Sequence, residues 1–327
     1  MPSQHHSVWK HVQFLGETVL GLNRRNSHYI FSLNPQELIP IVDDKVRTKE
    51  ELQQHAIACP ATYGVVRSSA ELRYLAACTA GHDAFVVKPC RGSGGGGILV
   101  CEQSQPGQFT QPSGAVWNTR RLVRHVDEIL SGVFALDERA DAALFEYRIV
   151  LDPRLRSLSP FGIPDIRFLV VMGVPLLAML RLPTKKSGGR ANLHAGGVGV
   201  GVAFDQGITR RGLFHHHRIR RHPDTQLNLA GVQLLHWQEM LVMAARCYDA
   251  VPLGYMGVDM VIDETSGPMV LELNARPGLQ IQLANDIGLR PFLERVLAQR
   301  NPHMSVHDRI QLGQEIYQRT WPQFMDE

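Results

Sequence analysis

The sequence predicts an α+β fold, or a mixed α/β one, and argues against a doubly wound parallel sheet. Three observations carry this. Residues 165–182 read as two apolar strands around a Gly-Val-Pro turn, and 257–274 as two more around DETSGP. Both are antiparallel hairpins. The glycine-rich run near residue 94 is followed by a strand and not a helix, so no dinucleotide-binding fingerprint is present.

Size and composition set the bounds. A chain of 327 residues allows two domains of roughly 150 residues each. It can bury a core without staples. With 44% apolar and 20% charged residues, wholesale disorder is excluded. Net charge is +3, so there is no electrostatic case for a nucleic-acid partner. The five cysteines are widely spaced and form no C-x-x-C, which fits a reducing compartment. The N-terminus has no leader pattern. The longest near-apolar stretch, 168–180, is far short of the ~20 residues a membrane helix needs. A cytoplasmic protein without a membrane span is expected.

In chain order, 7–22 is loosely helical, a surface through which two copies could pair as a homodimer. Residues 44–58 form a helix capped by Asp44. A strand at 62–66, a helix at 70–78 and a strand at 84–88 follow. After the glycine loop come a strand at 98–101, a helix at 119–131 and a strand at 142–150. Residues 151–164 are irregular. The hairpin of 165–172 and 175–182 leads into a polar, glycine-rich loop, 183–196, and a strand, 198–204. Residues 205–228 show no periodic core pattern. A long amphipathic helix at 229–250 precedes the second hairpin. Helices near 289–299 and 307–318 complete the chain.

The first chemical constellation is FVVKPCRGSGGGGILV. An apolar strand delivers Lys88, and the glycines let backbone N–H groups wrap an anion closely. No Walker A spacing occurs. A plain hairpin tip is the competing reading. The chain has 34 basic residues of which only six are lysine, so a lysine at a strand end hints that a point charge is wanted.

The second constellation is GVDMVIDETSGPMVLELNARPG. With the turn centred between Thr265 and Ser266, Asp259 pairs across from Glu272, and Asn274 shares their face. Facing carboxylates repel, and a divalent cation removes the penalty. Oxygen donors of this kind suit Mg²⁺. A solvated strand face is the alternative. Arg276 follows and can reach a phosphate or carboxylate in bidentate fashion. Between the constellations lie Asp165, Arg167 and Arg181 on strands, then Lys185, Lys186, Arg190, Asn192 and His194 on the polar loop. The basic run from His215 to His222 reads as a solvated loop or a surface for an acidic ligand. Cys90 is at most oxidation-sensitive.

These residues resemble the ATP-grasp carboxylate–amine ligases, and most closely their alpha-L-glutamate ligase-like subgroup, related to the ribosomal-protein glutamate ligases. The supporting pieces are VDDKVRTKEEL, VVKPCRGSGGGGILV, EYRIVLDP, PDIRFLVV, RLPTKKSGGRANLHAGGVGVGV and LELNARPGLQIQLAN. The resemblance implies an ATP-grasp fold of two α+β lobes gripping ATP. It implies that Lys45 and Lys88 contact the ATP phosphates and that Ser93, Gly94, Gly95 and Gly96 close over them. Glu146, Tyr147 and Ile149 would form the adenine hinge. Asp259, Glu272 and Asn274 would hold Mg²⁺, with Mn²⁺ as a substitute. Arg167, Arg181, Asn192 and Arg276 would stabilise the γ-phosphate and an acyl phosphate.

Two departures matter. About 43 residues precede DDK, too few for the Rossmann-like domain usual before the grasp region, so none is expected. The wide gap between Glu146 and Asp165 leaves Asp152 as the ribose candidate. The division expected is a helical segment at 1–43, a first lobe at 44–145, a second at 146–300 and a C-terminal helix at 301–327. The implied reaction joins a carboxylate, glutamate or a peptide carboxylate among the options, to an amine acceptor at the expense of ATP. A non-catalytic nucleotide-binding module and an ATP-dependent phosphotransferase are the alternatives.

Overall fold

The strands form two antiparallel sheets: the first buries one apolar face, and the central strands of the second are buried on both faces, with charged residues confined to part of one. The computed structural model describes residues 16–92, 94–105, 107–135 and 139–324. The first sheet contains β1 (Thr62–Val66), β2 (Ala84–Pro89), β3 (Leu99–Gln105), β4 (Gln108–Thr110), β5 (Val116–Asn118) and β6 (Ala143–Tyr147), in the order β1-β6-β2-β3-β4-β5. Its apolar face carries Phe85, Val87, Cys101, Phe109 and Phe145. These pack against Leu122, Val126 and Ile129 of the helix Thr119–Leu130, which Asn118 caps by accepting from the Arg121 N–H.

The second sheet contains β7 (Asp165–Val171), β8 (Val174–Leu182), β9 (Val198–Ala203), β10 (Ile208–Phe214), β11 (His217–Ile219), β12 (Tyr255–Asp263) and β13 (Gly267–Asn274). Its order is β11-β10-β9-β8-β7-β12-β13. Phe168, Val258 and Met260 point into the larger core, where the helix Trp237–Ala250 supplies Met240, Leu241 and Ala244. Phe168 and Trp237 rings lie 5.2 Å apart. The helix Lys45–Gln54 also buries its Leu52 in this second core. The two helices Arg290–Gln299 and Val306–Thr320 close the far side.

Several elements differ from expectation. Polar residues 103–118 form β4 and β5, short edge strands with too little alternation to register. The strand expected to reach 150 ends at Tyr147. Within the segment expected to be irregular, Pro153–Leu158 is a helix, with Asp152 as its cap and proline at its start. A helix of one and a half turns carries no readable period. The run 205–228 folds as β10 and β11, with His215 and His216 in the turn between them. Only Trp237–Ala250 of the long predicted helix is helical. The stretch at 70–78 splits into the 3₁₀ turn Ser69–Tyr74 and the helix Leu75–Thr79. The helical pattern at 7–22 falls mostly outside the described residues, and the pairing surface expected there with it. Among the described residues no helix is long and apolar enough to cross a membrane.

His222, one of the expected basic-run residues, is fully buried. Its Nε2–H donates to the Pro183 carbonyl at 3.0 Å, and its Nδ1 accepts from the Asp224 and Thr225 N–H groups. Burial holds the ring below its ordinary pKa, against the opposing pull of the Pro183 hydrogen bond and Asp224. The unfolded chain therefore takes up this proton at a higher pH than the folded one. Stability from His222 is complete above about pH 6.5 and falls as the pH drops below it. Thermal melts between pH 7.5 and 5 should show a steeper decline for the wild type than for His222→Gln.

Candidate active site

The second sheet's polar face is built from the register. The turn of the β12–β13 hairpin centres on Thr265, since Asp263 lies opposite Gly267. A bulge between Asp259 and Met260 leaves Leu271 without a partner and restores Asp259 to Glu272. Asn274 lies opposite Gly257 on the same face. On the other side, Asp259 faces Arg167 of β7, and Asp165 faces Arg181 of β8. The charged row therefore runs across four adjacent strands.

Within it the charges are paired. Arg167 donates from Nε to Asp259 Oδ1 at 2.6 Å and from Nη2 to Oδ2 at 2.5 Å. Arg181 grips Asp165 with two bonds at 2.5 and 2.7 Å and reaches Asp259 Oδ2 at 2.7 Å. Burial alone would raise the Asp259 carboxyl; Arg167 and Arg181 outweigh it and hold it far below the ordinary range. Asp165 is pushed up to about 6, because burial and the neighbouring Asp259 charge exceed what Arg181 returns. Two of the residues expected at the γ-phosphate, Arg167 and Arg181, thus spend their guanidinium groups on aspartates. Glu272 and Asn274 are half-buried at the sheet's edge. Asn274 Oδ1 accepts from the Arg276 N–H at 2.8 Å, and the exposed Arg276 guanidinium reaches Asp43 at 3.5 Å.

The first sheet turns Lys88 and Glu146 to the same face, since Glu146 pairs with Val86 two residues before Lys88. Lys88 Nζ meets Glu146 Oε1 at 2.5 Å, and Lys49 Nζ meets Oε2 at 2.5 Å. All three are buried. Burial would raise the Glu146 carboxyl, but Lys88 and Lys49 hold it below its ordinary value. Lys45 donates to the Gly92 carbonyl at 2.6 Å, at the foot of the glycine loop. Burial lowers its pKa; the Glu272 charge opposes this and Lys88 adds to it. The helix Lys45–Gln54 joins the two faces: its Lys45 and Lys49 bond groups of the first sheet and its loop, and the helix packs against β13, which carries Glu272.

The glycine loop is anchored at both ends. Asp141 accepts from the Arg91 N–H with both oxygens, and the His125 ring bonds the Gly97 carbonyl at 3.0 Å. Gly94 and Gly95 have left-handed φ, +63° and +80°. A Cβ on Gly95 would sit 2.9 Å from Arg190 Cδ, and one on Gly94 3.5 Å from the Asn192 amide nitrogen. The loop and residues 190–192 therefore touch, with Gly96 in the same turn. Ser93 lies outside the described residues. Cys90 is buried, and burial with Asp141 and Asp44 pushes its thiol up to about 12, which makes it a poor oxidation target.

The connector between the sheets, 147–152, is pinned by a residue the sequence reading passed over. Asp263 Oδ2 accepts from Tyr147 OH at 3.1 Å and from the Val150 N–H at 2.8 Å. Its Oδ1 caps the β12–β13 turn through the Thr265 and Ser266 N–H groups. Ile149 lies half-buried in this connector, where the backbone leaves β6. Asp152 is occupied as a helix cap, accepting from the Arg154 N–H at 2.9 Å, and is not set out as a ribose ligand. Asp263→Ala should cost about 1–3 kcal/mol by stripping four donors of their acceptor. Urea melts measure the loss, and proteolysis should begin within 147–152.

Asn192 caps the short turn Leu193–Ala195, accepting from the His194 N–H, and His194 bonds the Gln280 amide at 2.7 Å. His215 contacts Lys186 Nζ at 3.0 Å. Among the described residues, no three His, Cys, Asp or Glu gather as a metal cage. Two carboxylates and an amide fit Mg²⁺, which takes few protein ligands and fills its shell with water and phosphate. The donor types match the ion, with Glu272 and Asn274 the accessible donors and both Asp259 oxygens engaged by Arg167 and Arg181. Lys49, Asp263, Asp141 and His125 were missed. For Lys49 there was a signal: a lysine four residues after Lys45 on one helix face, in a chain poor in lysine.

Residues 24–298 match the model of the family described as sugar-transfer associated ATP-grasp. A probable alpha-L-glutamate ligase of Azotobacter vinelandii is 24% identical over 253 residues, covering 77% of this chain. The chain spans 61% of that relative's length. Among solved structures, D-alanine–D-alanine ligase from Bacillus anthracis with ATP is 14% identical, covers 88% of this chain and 67% of its own, and has a TM-score of 0.41. The biotin carboxylase domain of 2-oxoglutarate carboxylase from Hydrogenobacter thermophilus is 18% identical, with 84% and 50% covered and a TM-score of 0.48.

Proposed function

The chain belongs to the sugar-transfer associated ATP-grasp family, and on that premise we propose that it is an ATP-dependent carboxylate–amine ligase. The observation that supports this best is the meeting of two polar faces. One presents Lys45 and Lys88 beside a glycine loop, and the other presents Glu272 and Asn274 beside a buried Asp259. A cationic, amide-rich wall opposite an oxygen-rich edge is what a polyphosphate with a divalent ion requires.

In the proposed reaction a substrate carboxylate oxygen attacks the ATP γ-phosphorus. The bond to ADP breaks, and an acyl phosphate forms. An amine then attacks the acyl carbon, phosphate leaves, and an amide remains. The protein's task is positioning and charge neutralisation. Lys45 and Lys88 bind phosphate oxygens, and the backbone of Gly94, Gly95 and Gly96 covers them. The connector of Glu146, Tyr147 and Ile149 receives adenine. Asp259, Glu272 and Asn274 would hold Mg²⁺, or Mn²⁺ in its place, which when bound neutralises the polyphosphate charge. Arg276 and Asn192 flank that edge to meet the transferred phosphoryl group. Arg167 and Arg181 act from behind, keeping Asp259 ionised and aimed.

The substrates are a small-molecule or peptide carboxylate and an amine acceptor. The five free cysteines fit a reducing compartment such as the cytoplasm. We propose that the two sheets form the two gripping lobes. Release of ADP from MgATP should require the carboxylate and not the amine alone. Adding the two singly and together, with ADP followed over time, tests this. ADP release driven by a hydroxyl compound, with no carboxylate, would favour a phosphotransferase.

A further inference from the structure

Lys49 is three per cent exposed and points at the same carboxylate as Lys88. Its Nζ is fixed from a second side by the Pro60 carbonyl at 2.6 Å. It rides on the helix Lys45–Gln54, which packs into the second core, whereas Lys88 and Glu146 belong to the first sheet. Two lysines on one buried glutamate leave the cluster one positive charge in excess. Lys88 is the one that stands at a strand end beside the phosphate loop, and Lys49 is the one held in place.

We infer that Lys49 is a positioning residue: it keeps the buried Glu146 carboxylate neutralised when Lys88 leaves it for a nucleotide phosphate. The inference rests on the nucleotide reading above. Without Lys49, any move of Lys88 toward phosphate strands an ionised carboxylate in a low-dielectric site, which is strongly unfavourable. Lys88 then stays on Glu146, and the site loses a phosphate ligand although its lysine is intact. Lys49 needs no contact with the nucleotide to have this effect, and its influence runs entirely through Glu146.

Calorimetric titration of the full chain with MgADP and, separately, with adenosine tests this on the wild type, Lys49→Met, Glu146→Gln and Lys49→Met/Glu146→Gln. Adenosine has no phosphate to draw Lys88 away. Lys49→Met should weaken MgADP by about tenfold or more and leave adenosine within about twofold. In the Glu146→Gln background, where no charge has to be neutralised, Lys49→Met should change MgADP binding by less than about threefold. Lys49→Arg should rescue, since it retains the positive charge. Thermal melts of each variant verify folding. Unchanged MgADP binding by Lys49→Met, equal loss for adenosine, or an equal loss from Lys49→Met in the Glu146→Gln background would each overturn the inference while leaving the nucleotide reading in place. A wild type that binds no MgADP would overturn that reading and the inference together.

Discussion

Asp259→Ala is expected to destabilise the fold by about 3–5 kcal/mol, a large share of a domain's total stability. Asp259 is one per cent exposed and accepts three hydrogen bonds from two arginines. Removing it leaves the Arg167 and Arg181 side chains, each 11% exposed, with Asp165 and the half-buried Glu272 as the remaining carboxylates of the row. A guanidinium cannot shed its charge to escape. The cost falls on the centre of the seven-stranded sheet, where β7, β8 and β12 are adjacent. Urea denaturation of Asp259→Ala and wild type measures it directly. Asp259→Ala/Arg167→Met should recover part of the loss, because it removes the stranded partner as well. A loss below about 1 kcal/mol would show that the row is solvated and not a buried network.

Glu272→Gln, one place along the same row, is expected to do the reverse. Glu272 is half-buried at the sheet's edge, and the hydrogen bonds of Arg167 and Arg181 in this row run to Asp259 and Asp165. Glutamine keeps its size and most of its hydrogen-bonding capacity. Stability should stay within about 0.5 kcal/mol, in the range of surface substitutions. Turnover should fall by about two to three orders of magnitude, as it does when one preorganised charge-stabilising group is lost. Steady-state ADP formation and a thermal melt on the same preparation measure both. Parallel loss of stability and activity would put Glu272 in the structural network. The contrast between neighbours follows from burial: Asp259 anchors the face and Glu272 presents it.

The sequence told much about this face and little about what lies beneath it. The pairing of Asp259 with Glu272 was readable from the hairpin alone, although the turn centres on Thr265 and the bulge that skips Leu271 restores the register. Hairpin symmetry is a local property. The grip of Arg167 and Arg181 on Asp259 and Asp165 depends on which strands become neighbours, and β7 and β12 are separated by more than eighty residues in sequence. No pattern within either strand reveals that contact. Glu146 illustrates the same limit. Its place on an apolar strand was legible, but its side chain answers to Lys49, brought from another element. Of the elements missed, β4, β5 and β11 are three residues each, and the longer β10 shows no alternating burial.

The central claim is that this site activates a carboxylate through an acyl phosphate. Hydroxylamine is a small amine that intercepts such a species, so only the acid has to be found. The protein is incubated with MgATP, hydroxylamine and a panel of carboxylates including glutamate and short acidic peptides, with Glu272→Gln alongside. ADP and hydroxamate are measured together. The account predicts equal amounts of both products with at least one acid, and neither with Glu272→Gln. ADP formed without hydroxamate across the whole panel, or hydroxamate formed equally by Glu272→Gln, would contradict it.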